Sequence, residues 1–213
     1  MGVFGFRPDV HKLETERDTN GLIKALQYQD ADVRLAAAKS LSNFCSADAC
    51  PALITCLKDE DGQVRDASIA TLVAMGEISL PLLFNAMGDQ SWRVRQGSAA
   101  ALSRLRWNPD DDEIKVCFLF AQGAWRELTS FGKKAIPYLV EGLKDENPES
   151  IRIVTMKYVS KVMSGIPKDG KPKDPNVKAA WALGRFMKYP TYNLGMAPIV
   201  LACFETVFMS GDD

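Results

Sequence analysis

The sequence predicts an all-α protein built of stacked helix pairs. Three observations in register carry that prediction. A dyad recurs as Val33-Arg34, Val64-Arg65, Val94-Arg95 and Ile151-Arg152, at spacings of 31, 30 and 57 residues. Pro51, Pro81 and Pro137 precede the Arg of their own unit by 14, 14 and 15 residues, and Asn20 stands 14 residues before Arg34. Apolar residues follow both markers at helical spacing. The interval of 57 is close to two periods, so one degenerate unit is expected inside it. A period of this size, shared by independent markers, is the signature of a repeat architecture.

Each marker has a mechanical reading. Proline suits the first turn of a helix, where its missing N–H would have had no partner. Leu53 and Leu57, Leu83 and Met87, Leu139 and Leu143 then fall on one helical face, as do Leu22 and Leu26 in the first unit. This is the first, shorter helix of each pair. A polar turn follows, as in Lys58-Asp59-Glu60-Asp61-Gly62, rich in residues that turn the chain and cap the next helix.

The second helix is expected to start near the Val-Arg dyad. Counted from its Val, offset 3 holds Ala36, Ala67 and Gly97, offset 8 holds Leu41, Leu72 and Leu102, and offset 11 holds Phe44, Met75 and Leu105. At about 100° per residue, offsets 0, 4, 7, 8 and 11 share a face. Small residues at offset 3 let neighbouring helices approach closely. Neither helix of a pair can bury its stripe alone, so the units must stack and share a core.

Two-helix units of about 30 residues, with Pro in the first helix and an Asp…Val-Arg start to the second, resemble HEAT repeats. The short, regular kind found in phycobilisome-lyase-like proteins is the nearest in character. The resemblance spans roughly residues 20–162 and implies a right-handed α–α superhelix, a HEAT-like α-solenoid of about five to six helix pairs. The segments divide as 1–18, a polar N-terminal stretch; 19–163, the repeats, with a degenerate unit at 107–132; 164–175, a loop; and 176–213, a terminal pair. In the degenerate unit Asn108-Pro109-Asp110-Asp111-Asp112 leads into a helix over 113–122 and another over 125–130. The acids sit where a helix N-terminus favours negative charge. The loop carries Gly165, Pro167, Gly170, Pro172 and Pro175 with Lys168, Lys171 and Lys173. The last pair is expected to cap the stack, because terminal repeats need an altered outer face.

Composition excludes several function classes. The 213 residues are 46% hydrophobic and 25% charged, which suits a globular chain rather than a disordered one. Twenty-six Lys and Arg against 27 Asp and Glu leave a net charge of -1, without the basic footprint of a nucleic-acid binder. His11 is the single histidine, so multi-histidine metal sites and a histidine base within the repeats are not available. The five cysteines, Cys45, Cys50, Cys56, Cys117 and Cys203, are odd in number and follow no secretory signal, which predicts free thiols in a reducing cytoplasm. Zinc at Cys45, Cys50 and Cys56 is disfavoured by the spacing and by the lack of a histidine. The apolar run 198–203 is far short of the ~20 residues of a membrane span.

Motifs for enzyme chemistry are absent. The chain has no Gly-x-x-x-x-Gly-Lys-Ser/Thr or Gly-x-Gly-x-x-Gly loop and no Gly-x-Ser-x-Gly elbow. HEAT-like hydroxylases hold two irons with repeated His-Glu pairs, and this sequence has none. HEAT-like DNA glycosylases use a strongly basic concave face, which is lacking here. The expectation is a non-enzyme with no cofactor and no metal.

Two sets of residues repeat in register. Arg34, Arg65, Arg95 and Arg152 are read as a structural ladder. The resemblance implies bonds to acidic and backbone groups of adjacent turns, for which Asp32, Asp61 and Asp89 are the nearby acids. The second set faces away from the core of each second helix, at offsets 2, 6 and 9. It comprises Leu35, Lys39 and Ser42; Asp66, Ala70 and Val73; Gln96, Ala100 and Ser103; and Ile153, Lys157 and Ser160. The resemblance places this stripe on a concave surface. Its mixed, partly apolar character suits a groove for a protein segment, with Trp92 at a rim because its turn is expected to face solvent. Trp107, Trp125 and Trp181, with Phe186, Tyr189 and Tyr192, are read as packing or end-covering residues. The favoured function is a protein-binding scaffold. The alternative is a lyase-like or chaperone-like auxiliary subunit for a bilin or other tetrapyrrole. The partner and the oligomeric state are not written in the sequence.

Overall fold

The computed structural model describes residues 7–135 and 138. All regular elements among them are helical. They run α1 (Val10–Thr15), α2 (Thr19–Ala25), α3 (Ala31–Leu41), α4 (Cys50–Cys56), α5 (Gly62–Ala74), α6 (Leu80–Ala86), α7 (Trp92–Arg104), α8 (Asp112–Gln122) and α9 (Trp125–Leu128). Short 3-10 turns at Ala47–Ala49 and Gly76–Ser79 lead into α4 and α6, and a third covers Thr129–Ala135. The chain divides into two compact units, Met1–Gln122 and Gly123–Asp213. Of the sequence-predicted features, Pro137, Ile151, Arg152, Ile153, Lys157, Ser160, the loop 164–175 and the terminal pair 176–213 lie outside the described residues.

In the first unit the pairs are α2 with α3, α4 with α5, and α6 with α7. Their second helices pack in series, α3 on α5 and α5 on α7, and α8 packs on α7 in turn. The predicted face is the core. Val33, Ala37, Ser40 and Leu41 are buried, as are Val64, Ser68, Thr71 and Leu72, and Val94, Ser98, Ala101 and Leu102. The first helices contribute Leu22, Leu26, Leu53, Leu57, Leu83 and Met87, all buried. Pro51 and Pro81 occupy the first turns of α4 and α6.

Ser68, Thr71 and Ser79 tie their buried hydroxyls to backbone carbonyls, whereas Ser98 Oγ is buried without a hydrogen-bond partner among the described residues. Thr71 donates its hydroxyl to Ala38 O at 2.7 Å, joining α5 to α3. Ser79 donates to Leu72 O and Gly76 O, fixing the turn between α5 and α6. Such pairing is what allows hydroxyls to be buried at low cost.

The 1–18 segment contributes more than a polar lead. Helix α1 lies against α2 and α3, with Val10 and Leu13 packed on the core. Glu14 accepts hydrogen bonds from Ser40 Oγ and Asn43 Nδ2, both at 2.9 Å. His11 is exposed and lies beside Thr15.

Each second helix begins two residues before its Val, earlier than the dyad itself. Asp30 and Asp61 cap α3 and α5 by accepting from backbone N–H groups, and Ser91 holds the same position before α7. Each ends in a left-handed residue at offset 12: Cys45 at φ 45°, Gly76 at φ 59° and Arg106 at φ 60°. Only glycine adopts this conformation without a Cβ clash, a penalty of roughly 1–2 kcal/mol. Part of that gain is offset by the greater freedom of glycine in the unfolded chain. Cys45→Gly and Arg106→Gly should therefore each raise stability by roughly 0.5–1 kcal/mol. A Cβ at Gly76 would meet open space, so Gly76→Ala should lower stability by about 1 kcal/mol through backbone strain alone. Urea unfolding of the three variants checks the signs; a destabilised Arg106→Gly would contradict this account.

In the second unit, Trp125 and Leu128 are buried on α9, and Ala135 is buried at the end of the 3-10 turn. The predicted helices of the degenerate segment appear as α8 and α9. The boundary between the two units falls inside that segment. Asp111 caps α8 by accepting from Glu113 N and Ile114 N, giving the acidic run a local structural use.

Candidate functional site

The three described arginines of the ladder share one geometry. Arg34 Nη1 donates to Tyr28 O and Gln29 O, Arg65 Nη1 to Asp59 O and Glu60 O, and Arg95 Nη1 to Asp89 O and Gln90 O. Every guanidinium thus staples the turn that precedes its own helix, satisfying carbonyls that no helix pairs. The remaining guanidinium edge differs between units. Arg34 grips the Asp59 carboxylate of the next unit through Nε at 2.7 Å and Nη2 at 2.8 Å. Arg95 is buried, and its guanidinium lies 4.7 Å from the Phe120 ring centre, a cation–π contact with α8.

The acidic members differ from the sequence expectation. Asp32 is exposed, Asp61 caps α5, and the Asp89 carboxylate accepts from Ser91 N. The carboxylate that joins two units is Asp59, which also accepts from Asp61 N. Burial pushes the Asp59 carboxyl up. The Arg34 hydrogen bonds, the Asp61 N–H and the charges of Arg34 and Arg65 outweigh it, so the group sits below its ordinary pKa. The hydrogen bond to Asp59 correspondingly raises Arg34. Asp59 lies five residues before Val64, the register position of Asp89 and Tyr28. That coincidence is the sequence signal that could have found it.

The outward stripe is partly as expected. Lys39, Asp66, Ala70, Gln96 and Ser103 are exposed, while Ser42 and Ala100 are half-buried. Leu35 and Val73 depart from it: both are half-buried and pack against the core. Ser103 donates to Ala99 O and accepts from Gln122 Nε2, so part of its capacity is used within the fold. Trp92 is not a turn residue. It is the first residue of α7 and half-buried, with the Arg93 guanidinium 5.4 Å from its ring centre. Trp107 meets Phe84 and Phe118 edge-on, at 4.8 and 5.1 Å between ring centres, and so packs as read.

Among the described residues no group of three or more His, Cys, Asp or Glu side chains is placed to hold a metal ion. Cys45, Cys50 and Cys56 are free thiols. Burial pushes the Cys56 thiol up to about 11, with the Asp59 charge adding to it, so it is held protonated and unreactive near neutral pH. Burial raises Cys50 as well. Among the described residues no single helix is long and apolar enough to cross a membrane.

The repeated pairs, the shared core and the arginine-stapled turns define a helix-pair repeat protein. A family model for HEAT repeats matches residues 19–103, the stretch that holds α2 to α7. Over that stretch the fold is an α–α superhelix, consistent with the match. No curated protein matches the chain.

Proposed function

We propose that this protein is a non-catalytic scaffold that binds a protein partner on the concave face of its HEAT repeats. HEAT repeats generally mediate protein–protein contacts, and the repeats here are the matched part of the chain. The observation that carries the reading is the row Lys39, Asp66, Ala70 and Gln96. These side chains are exposed on successive second helices whose opposite faces are wholly committed to the core. Short side chains interleaved with single charges leave room for a segment to lie across the row. Free thiols support a reducing, cytoplasmic setting. The period of 30 to 31 residues supports assigning the units to the short, phycobilisome-lyase-like kind.

The test is substitution of exposed members alone. Asp66→Tyr, Ala70→Glu and Gln96→Glu together, which add bulk and no positive charge, should abolish partner binding while helicity and melting stay unchanged. Val73 is a poor probe, because its packing on the core would confound binding with folding. Full retention of the partner by the triple variant would exclude this face. A red-shifted, bound tetrapyrrole spectrum after incubation with bilin or haem would instead favour an auxiliary role in handling such a pigment.

A further inference from the structure

We propose that the docking face is specialised on α7 for an acidic, extended segment of the partner, gripped by Arg93 and Arg104 beside the Trp92 ring; this rests on the scaffold reading. The repeat makes corresponding positions of α3, α5 and α7 equivalent. Core offsets of α3, α5 and α7 carry similar residues, so differences at exposed offsets are not demanded by folding. The exposed charges of α3 are Asp32 and Lys39, and α5 presents Asp66. Helix α7 presents Arg93 and Arg104, and no Asp or Glu occurs from residue 90 to residue 109. Arg93 replaces Asp32 and Gln63 of the earlier units, Arg104 replaces Asn43 and Ala74, and Trp92 replaces Ala31 and Gly62.

The two arginines are not consumed by the fold. Both are exposed, and among the described residues neither is paired with a carboxylate. Arg93 lies over Trp92, which holds the cation beside a half-exposed ring. Offsets -1 and 10 share a face of the helix, and eleven residues of α-helix set the two arginines about 16 Å apart. An extended chain covers that length in about five residues. The complementary ligand has two carboxylates about five residues apart and an apolar side chain near one of them. Arg and Trp are also the residue types that dominate binding hot spots. A polyanion such as RNA is disfavoured by Asp66 on the adjacent exposed face and by the net charge of -1.

The test uses a short fluorescent peptide with two glutamates about five residues apart and a leucine beside one, against the same peptide with lysines. The full chain should bind the acidic peptide and not the basic one. Arg93→Glu with Arg104→Glu should weaken binding about tenfold or more, and Arg93→Lys with Arg104→Lys should keep most of it. Melting and helicity of each variant should match the wild type. Equal binding of both peptides, indifference to charge reversal, or tighter binding of single-stranded RNA would overturn the proposal. Loss of the native partner from the Asp66, Ala70 and Gln96 variant, with retention by the charge-reversed one, would overturn the acidic segment and leave the docking face standing. Retention by both would overturn the face as well.

Discussion

Replacing Asp59 with alanine should lower the unfolding free energy by about 2–3 kcal/mol. The substitution removes three charge-assisted or backbone hydrogen bonds at once, from Arg34 Nε, Arg34 Nη2 and Asp61 N. It also leaves a guanidinium whose side chain is only 16% exposed without its counter-ion. An exposed pair would be worth a fraction of this, since water and salt would replace it. The effect should concentrate at the boundary between the first and second repeats, because solenoid units are held mainly by their neighbours. Asp59→Asn keeps the shape and an acceptor for Asp61 N but not the charge, so it should lose less than alanine.

The pH dependence follows in sign. The folded-state pKa of Asp59 lies below its unfolded value, so the pair's stabilisation is complete above the ordinary carboxylate pKa of about 4. It fades as pH falls through the lower folded value. The stability gap between wild type and Asp59→Asn should therefore be full near neutrality and shrink in acid. A gap that is constant from neutral to acidic pH would show that the charge contributes nothing.

Periodicity made the core legible and left the links between units obscure. Offsets 0, 4, 7 and 8 are set by the pitch of one helix, and Val64, Ser68, Thr71 and Leu72 follow it into the core. Asp59 is different, because its partner Arg34 stands 25 residues earlier in another repeat. No single-helix pattern encodes which neighbouring turn a long side chain reaches. Leu35 and Val73 show the same gap: a helical wheel gives direction from its own axis, not how far the adjacent helices extend around it. Trp92 was displaced by the N-cap, since Ser91 rather than the dyad starts α7. The left-handed ends were hidden because only Gly76, of the three residues at offset 12, has the residue type that position favours. Helix α1 carries neither marker of the repeat; Val10, Leu13 and Glu14 are its links to the stack.

Gly97→Val is expected to cost about 2–3 kcal/mol, against the direction of helix propensity. In an open helix, replacing glycine with valine would gain a few tenths of a kcal/mol. Here an added Cβ would lie 3.1 Å from Leu57 Cδ2 and 3.3 Å from both its Cβ and Cδ1. Leu57 is itself only 1% exposed, and its Cβ is fixed to the end of α4, so it cannot swing clear. Two further methyl groups deepen the overlap. The position is offset 3, where the other units hold Ala36 and Ala67; in the third unit Leu57 crowds it. The clash is specific enough to be reversed. Leu57→Ala alone should cost roughly 2–4 kcal/mol by opening a cavity. Combined with Gly97→Val, the two losses should fall short of their sum by 1 kcal/mol or more, because the valine fills part of that cavity. Strict additivity in urea unfolding would mean that Leu57 is not what forbids a side chain at residue 97.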